Sequence, residues 1–283
     1  MTMCLCAFET LRLFYQMNRS FVDQSIWREN KIELSPEESH HLLDVIRART
    51  GETIEIFDGL GRMARAELIS GSRRCARVKI LPETVHFVEK YCPAFILLQS
   101  VPKQANMELI VQKATELGVS KIVPVITERT VVKMAGPHTA VRPLISAGQG
   151  CPALPADKHV MRWRKIALAA AKQCHAAWLP EVLPVVHLDE AIAALRADLK
   201  IFGSLVPQTA DFKEALAKTP RVGIKSIALA IGPEGDFTDD EIKKLLESGF
   251  IPVSFGNEVL RVETAAIYGL SVLKYEFRMA KFR

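Results

Sequence analysis

Two segments near the C-terminal end of this 283-residue chain carry residue types that could do chemistry. They are Gly232-Pro233-Glu234-Gly235-Asp236-Phe237 and Phe255-Gly256-Asn257-Glu258-Val259-Leu260-Arg261-Val262-Glu263-Thr264-Ala265. Gly232 and Gly235 give a loop conformational freedom and let a ligand approach the main chain, and Pro233 stiffens the turn between them. Neither segment reads G-x-G-x-x-G or G-x-x-x-x-G-K-[ST], so dinucleotide and P-loop readings fail. Arg261 is the one basic residue in either segment, too little positive charge for a triphosphate. Backbone amides and apolar side chains suit a ligand with an adenine and little negative charge. By spacing alone, two ordinary glycine-containing turns fit equally well.

The elements that must position these segments are legible as periodicity. Ile227–Ile231 and Ile251–Phe255 are short apolar runs, and each leads through its segment into a helical pattern. Thr238 and Glu241 have capping-box spacing, which predicts a helix start there. Ligands of open α/β sheets bind at loops leaving the carboxyl ends of strands, so two such loops imply one shared pocket. Upstream, Ala94–Leu98 is a continuous apolar run, the mark of a strand buried on both faces. Met107–Leu117 is helical and stops at Gly118, with Lys113 and Glu116 spaced for an intrahelical ion pair. Lys121–Ile126 and Lys200–Leu205 are further strands, and Met161–Ala177 is a further helix. Met134–Val160 holds several prolines and glycines and reads as a long mobile loop. Strands alternating with helices predict an α/β domain with a mostly parallel sheet. Residues 11 to about 81 read mostly β, with Ser35-Pro36-Glu37-Glu38 opening one helix, as in a small barrel.

Composition bounds the rest. The chain is 49% hydrophobic and 24% charged, ordinary for a globular protein. It has no apolar run long enough for a transmembrane helix, and no membrane partner is expected. Residues 1–10 are apolar but lack a basic leader, and are read as an extension. The six cysteines, Cys4, Cys6, Cys75, Cys92, Cys151 and Cys174, form no C-x-x-C pair, so neither zinc nor a disulfide framework is expected, as suits a reducing cytoplasm. Net charge is only +5, but between Lys121 and Lys165 eight basic residues face two acidic ones, an excess that suits a phosphate-rich partner.

Taken in order, the motifs resemble the ribosomal RNA small subunit methyltransferase E family, knotted enzymes of the SPOUT superfamily. Gly232–Gly235 resembles its "GPEG" signature and Leu260–Ala265 its "LR-x-ETA". Met107–Val119 resembles its "ME…QK..ELGV" helix, and Arg129 stands where the family has an arginine. Trp163, Lys165, Gln173-Cys174 and Leu179-Pro180-Glu181-Val182 follow its next helix. His40–Arg47 resembles "H…VLR", and Glu55–Gly59 resembles "…FDG". Three positions depart: the family usually has glycine at Asp236 and arginine at Glu258 and Ala176.

The resemblance implies an α/β fold: a SPOUT-type domain over 90–283 with a trefoil-knotted cofactor site, preceded over 11–85 by a PUA-like RNA-binding β-barrel. It implies transfer of a methyl group from S-adenosylmethionine to N3 of a uridine in 16S ribosomal RNA, by a cytoplasmic homodimer. The small ribosomal subunit is the expected partner. Another RNA base or ribose as target, or a catalytically weak ribosome-assembly RNA binder, are the alternatives. Arg261 would stabilise charge on the uracil, and Glu263 would orient it or accept a proton. Cofactor contacts fall on Gly203, Gly232, Pro233, Glu234, Gly235, Phe255, Gly256, Val259, Leu260, Thr264 and Ala265, and RNA contacts on Arg47, Arg49, Arg129 and Lys165. No metal is implied. Leu270, Val272 and Leu273 are the expected dimer face.

Overall fold

The computed structural model describes residues 17–27, 30–72, 75–102, 106–130, 158–206 and 209–277. The chain divides into two compact units, one of Met1–Lys90 with Ala171–Leu179, the other of Tyr91–Ala170 with Pro180–Arg283.

The first unit is built on strands β1 (Arg19–Phe21), β2 (Lys31–Glu33), β3 (Thr53–Phe57), β4 (Arg62–Ser72), β5 (Cys75–Ile80) and β6 (His86–Phe87). They form one sheet in the order β1-β3-β4-β5-β2, with β6 also on β4. Alternation drives it: in β5, Ala76, Val78 and Ile80 are buried while Arg77 and Lys79 face out. The expected helix forms as α1 (Pro36–His40), with the Ser35 hydroxyl accepting from Glu38 N. Behind the sheet, Arg19 Nε lies 2.7 Å from Glu55 Oε1, and both side chains are almost fully buried. Arg19 Nη1 also donates to Ala171 O, and the guanidinium sits over the Phe57 ring. Burial pulls the Arg19 pKa down, and the Glu55 charge opposes that pull.

The second unit holds β7 (Ala94–Ser100), α2 (Asn106–Glu116), β8 (Lys121–Ile126), α3 (Lys158–Gln173), β9 (Glu181–Val182), β10 (Val186–His187), α4 (Leu188–Ala194), β11 (Leu199–Gly203), α5 (Phe212–Ala217), β12 (Ser226–Ile231), α6 (Asp239–Glu247), β13 (Ile251–Val253) and α7 (Val262–Phe277). Its sheet runs β10-β8-β7-β12-β11-β13, every pair parallel. Parallel strands need crossovers on the faces, which is why the central strands are apolar throughout. One face packs Leu97 and Leu229 against Ile110 and Ala114 of α2 and Ala266, Leu270 and Leu273 of α7. The other packs Leu98, Phe202 and Ala230 against Phe237 and Leu245. Gly269 is needed for close approach: a Cβ there would stand 2.8 Å from Leu229 Cδ2.

Several expectations shift. Gly118, at φ +78°, ends α2, and Lys113 pairs with Glu116 at 2.9 Å as its spacing predicts. The helix expected over Met161–Ala177 runs instead over Lys158–Gln173. Of the expected loop Met134–Val160, residues 134–157 lie outside the described residues and 158–160 are helical. Leu270 and Leu273 are buried in their own core, so they are not free to form a dimer face.

Glu55→Ala is expected to destabilise the protein by about 3–5 kcal/mol, because it leaves a buried guanidinium without its counter-charge. Urea unfolding followed by the first unit's Trp27 fluorescence checks this, and a loss under about 1 kcal/mol would contradict it.

Candidate active site

Three neighbouring strands, β12, β11 and β13, end side by side at the carboxyl edge of the sheet. The loops leaving them enclose a cavity of about 400 Å³. The first loop contributes Gly203, Ser204 and Leu205, the second Gly232, Pro233, Glu234 and Asp236, and the third runs from Ser254 to Arg261 before α7 begins. Asn106, at the start of α2, completes the wall.

Local sequence explains the shape of each loop. Helix α6 starts where the capping box predicts: Thr238 N donates to Glu241 Oε2 at 2.9 Å, and Glu241 N donates to Thr238 Oγ1. The other Glu241 oxygen accepts from Glu128 N at 2.9 Å, tying this loop to the turn after β8. In the third loop Gly256 takes φ +126°, a conformation that L residues rarely adopt. Gly203 leaves room for the Phe255 ring, since a Cβ there would meet Phe255 Cε2 at 2.8 Å. Phe255 in turn packs on Phe212 and Tyr268.

Gly232 and Gly235 are not among the residues of positive φ; Asp236 is, at +60°. Gly232 is small because a Cβ would stand 3.1 Å from Asp236 Oδ1. At Asp236, where the resembled family usually carries glycine, the strain is offset by the carboxylate. Its Oδ1 accepts from Phe237 N at 2.8 Å and its Oδ2 from Leu205 N at 3.1 Å, joining two loops of the cavity.

Eleven sequence-predicted residues line the cavity: Gly203, Gly232, Pro233, Glu234, Phe255, Gly256, Val259, Leu260, Arg261, Glu263 and Ala265. Two do not. Thr264 is exposed on α7, one position round from the cavity wall, and Gly235 faces the Arg129 side chain. Arg129, expected on RNA, is exposed and donates from Nη1 to Gly235 O at 2.6 Å and to Phe237 O at 3.4 Å. Arg47, Arg49 and Lys165 are exposed.

Sequence reasoning missed Asn106, whose Nδ2 donates to Glu263 Oε2 at 3.2 Å. Its one signal was its place just before the Met107 helix motif. Ser204, Leu205 and Asp236 were missed as well; they adjoin residues that were singled out. Four carboxylates, Glu234, Asp236, Glu258 and Glu263, share the wall with one guanidinium, Arg261. Among the described residues Arg261 is exposed and its side chain makes no hydrogen bond or ion pair. Such a wall disfavours a polyanion and accommodates a ligand bearing positive charge. Among the described residues no group of acidic, histidine or cysteine side chains could hold a metal ion.

Residues 90–274 match the family model described as an RNA methyltransferase domain, and residues 34–81 match an RNA methyltransferase PUA domain. The Bacillus subtilis Ribosomal RNA small subunit methyltransferase E is 27% identical over 273 residues, covering 94% of this chain and 99% of that protein. Its Synechocystis namesake is 29% identical over 258 residues, covering 86% and 72%. Among solved structures, a putative methyltransferase of Legionella pneumophila in complex with the bound cofactor SAM is 31% identical, with a TM-score of 0.78 over 92% of this chain and 98% of that one. The Neisseria gonorrhoeae Ribosomal RNA small subunit methyltransferase E bound to S-adenosyl methionine is 26% identical, with a TM-score of 0.75 over the same shares.

The strained backbone at Asp236 yields a stability ordering. Asp236→Ala keeps the left-handed conformation and loses both acceptors, whereas Asp236→Gly loses only the acceptors. The alanine variant is expected to be the less stable by about 1 kcal/mol. Parallel denaturant titrations of the two variants test this, and equal midpoints would contradict it.

Proposed function

Because this chain belongs to the ribosomal RNA small subunit methyltransferase E family, we propose that it methylates N3 of a uridine in 16S ribosomal RNA, with S-adenosylmethionine as methyl donor. The observation that carries this reading is the cavity itself: Arg261 and Glu263 both line it, among glycines, apolar side chains, carboxylates and the small polar residues Asn106, Ser204 and Ser254.

The wall fits the cofactor. Gly203, Gly232 and Gly256 line the cavity without side chains of their own, and the four carboxylates complement a sulfonium and an ammonium. Bound there, S-adenosylmethionine supplies an electrophilic methyl group. The chain's own residues must do the rest. The uracil has to be held with N3 in line, which is a problem of positioning. As N3 loses its proton, negative charge spreads onto the uracil carbonyls, and Arg261 can stabilise it. Its guanidinium is unspent among the described residues and permanently charged. Glu263, steadied by the 3.2 Å bond from Asn106, can orient Arg261 or accept the proton.

The N-terminal PUA-like domain, taken as residues 11–85, is the RNA-binding module in this reading, and its exposed Arg47 and Arg49 suit phosphate contacts, as does Lys165 in the catalytic domain, residues 90–283. The catalytic domain is proposed to carry the SPOUT trefoil knot around the three cofactor loops, and the protein to act in the cytoplasm as a homodimer. The exposed side of α7 supports the dimer: Tyr268 and Tyr275, seven residues apart, are 42% and 85% exposed. That aromatic stripe replaces Leu270 and Leu273 as the candidate contact. Sedimentation of a Tyr268→Glu/Tyr275→Glu variant should give monomer where the parent gives dimer; identical profiles would remove the stripe from the interface.

Arg261→Ala is expected to lower turnover by roughly 10²–10³, the scale of losing one transition-state donor. S-adenosylmethionine affinity should change far less. Arg261→Lys should recover only part, since an ammonium cannot copy a planar fork. Single-turnover kinetics at saturating cofactor and small ribosomal subunits measure this. Near-normal turnover in Arg261→Ala would refute the assignment, and absence of N3-methyluridine among the products would refute the reaction.

A further inference from the structure

We propose that Arg129 serves the cofactor rather than the RNA: it is a positioning residue that holds the Gly232–Phe237 loop in the shape that receives the ligand. This rests on reading the cavity as the S-adenosylmethionine site.

Arg129 is held before it reaches the loop. It lies in a tight turn where Thr127 N donates to Thr130 Oγ1 at 3.0 Å and the two hydroxyls meet at 2.8 Å. The preceding residue is tethered by the bond from Glu128 N to Glu241 Oε1. From that fixed base the side chain crosses Gly235, and Nη1 reaches Gly235 O at 2.6 Å and Phe237 O at 3.4 Å. Those two carbonyls flank Asp236, the residue at φ +60°. On the other side, the Asp236 carboxylate takes the amides of Phe237 and Leu205. The bend is thus gripped through two of its carbonyls by a cation, and its own carboxylate takes the Phe237 amide within it and the Leu205 amide of the neighbouring loop; all four bonds are charge-assisted. Pro233, Glu234 and Asp236, which line the cavity, are aimed by this bend.

Gly235 gives the second, independent reason. It does not line the cavity, and its φ is not positive. A Cβ at this position would stand 3.2 Å from Arg129 Cδ and 3.6 Å from Arg129 Cβ. The small residue at 235 therefore makes room for Arg129, not for a ligand. One of its terminal nitrogens, Nη1, is committed to two main-chain oxygens of the loop.

The test is a double-mutant cycle on the full chain, read by calorimetric titration with S-adenosylmethionine. Arg129→Ala should raise the cofactor Kd roughly tenfold, the scale of one charge-assisted hydrogen bond on an exposed side chain. Arg129→Lys, which keeps the charge but lacks the reach of Nη1, should fall between. Gly235→Ala should weaken binding several-fold in the parent and hardly at all once Arg129 is alanine, because the tight 3.2 Å contact is then gone and only the Cβ at 129 remains, 3.6 Å away in ordinary contact. Binding of each variant to small ribosomal subunits without cofactor should stay within about twofold of the parent. Strict additivity of Gly235→Ala and Arg129→Ala would overturn the proposal. So would an unchanged cofactor Kd in Arg129→Ala with weakened binding to subunits. If Arg129→Ala does not fold, Gly235→Ala in the Arg129→Ser background, which also lacks the Cδ that crowds position 235, carries the same comparison. No heat from the parent protein itself would instead sink the cofactor reading, and the proposal with it.

Discussion

A single buried carboxylate holds the working edge of the second unit together. Glu241 is 7% exposed, and each of its oxygens accepts a backbone amide: one from Thr238, at the start of α6, the other from Glu128, in the turn after β8. A buried carboxylate is tolerated only where its lone pairs are met, and here the partners belong to two separate loops. Meeting its own need therefore fixes the loops against each other. The Gly232–Phe237 loop inherits its end point from α6, and Arg129 inherits its base from the turn. The polar contact ties the two loops together, and Phe237, 2% exposed against Phe202, seats the second of them on the sheet beneath.

The parallel sheet was legible because its strands are apolar on both faces. Ala94–Leu98 and Ile227–Ile231 had no other economical reading, and order plus right-handed crossovers leaves few topologies. The capping box at Thr238 and Glu241 was legible because its chemistry is local. What escaped were contacts between residues far apart in sequence. Arg129 and Gly235 are 106 positions apart, and Asn106 and Glu263 157. Periodicity reports that a position is buried or exposed, not what it meets. An exposed arginine near other basic residues reads as a phosphate contact until its acceptors are known, and a glycine in a βα loop reads as room for a ligand until the side chain crossing it is known. Helix α7 failed in the opposite sense. Leu270 and Leu273 have the spacing of an interface, but one flank of a parallel sheet needs the same spacing, and burial within the chain claimed them.

Charge is divided between the regions in a way that fits their tasks. Among the described residues the cavity wall is acidic, with Arg261 as its one cation, while the basic residues Arg47, Arg49 and Lys165 lie on exposed surfaces elsewhere in the chain. An acidic pocket repels phosphates, so a nucleotide chain has to be held by contacts outside it, and only the reacting base needs to enter. Within the pocket, one permanent cation among carboxylates is the place where negative charge developing on a substrate is stabilised most, because nothing else there can offset it.

The departures from the family pattern fall into this same electrostatic frame. Asp236 stands where glycine is usual, and Glu258 where arginine is usual; both line the cavity. Glycine at 236 would satisfy the left-handed backbone at no cost but would leave Leu205 N and Phe237 N without side-chain acceptors. Aspartate accepts the strain and joins the β11 and β12 loops directly. Glu258 adds a carboxylate to the wall that Arg261 also lines. A substitution that looks like a lost function in a motif thus reads, once the contacts are known, as a redistribution. The loop has a cross-link of its own at Asp236, and at position 258 the wall carries a carboxylate.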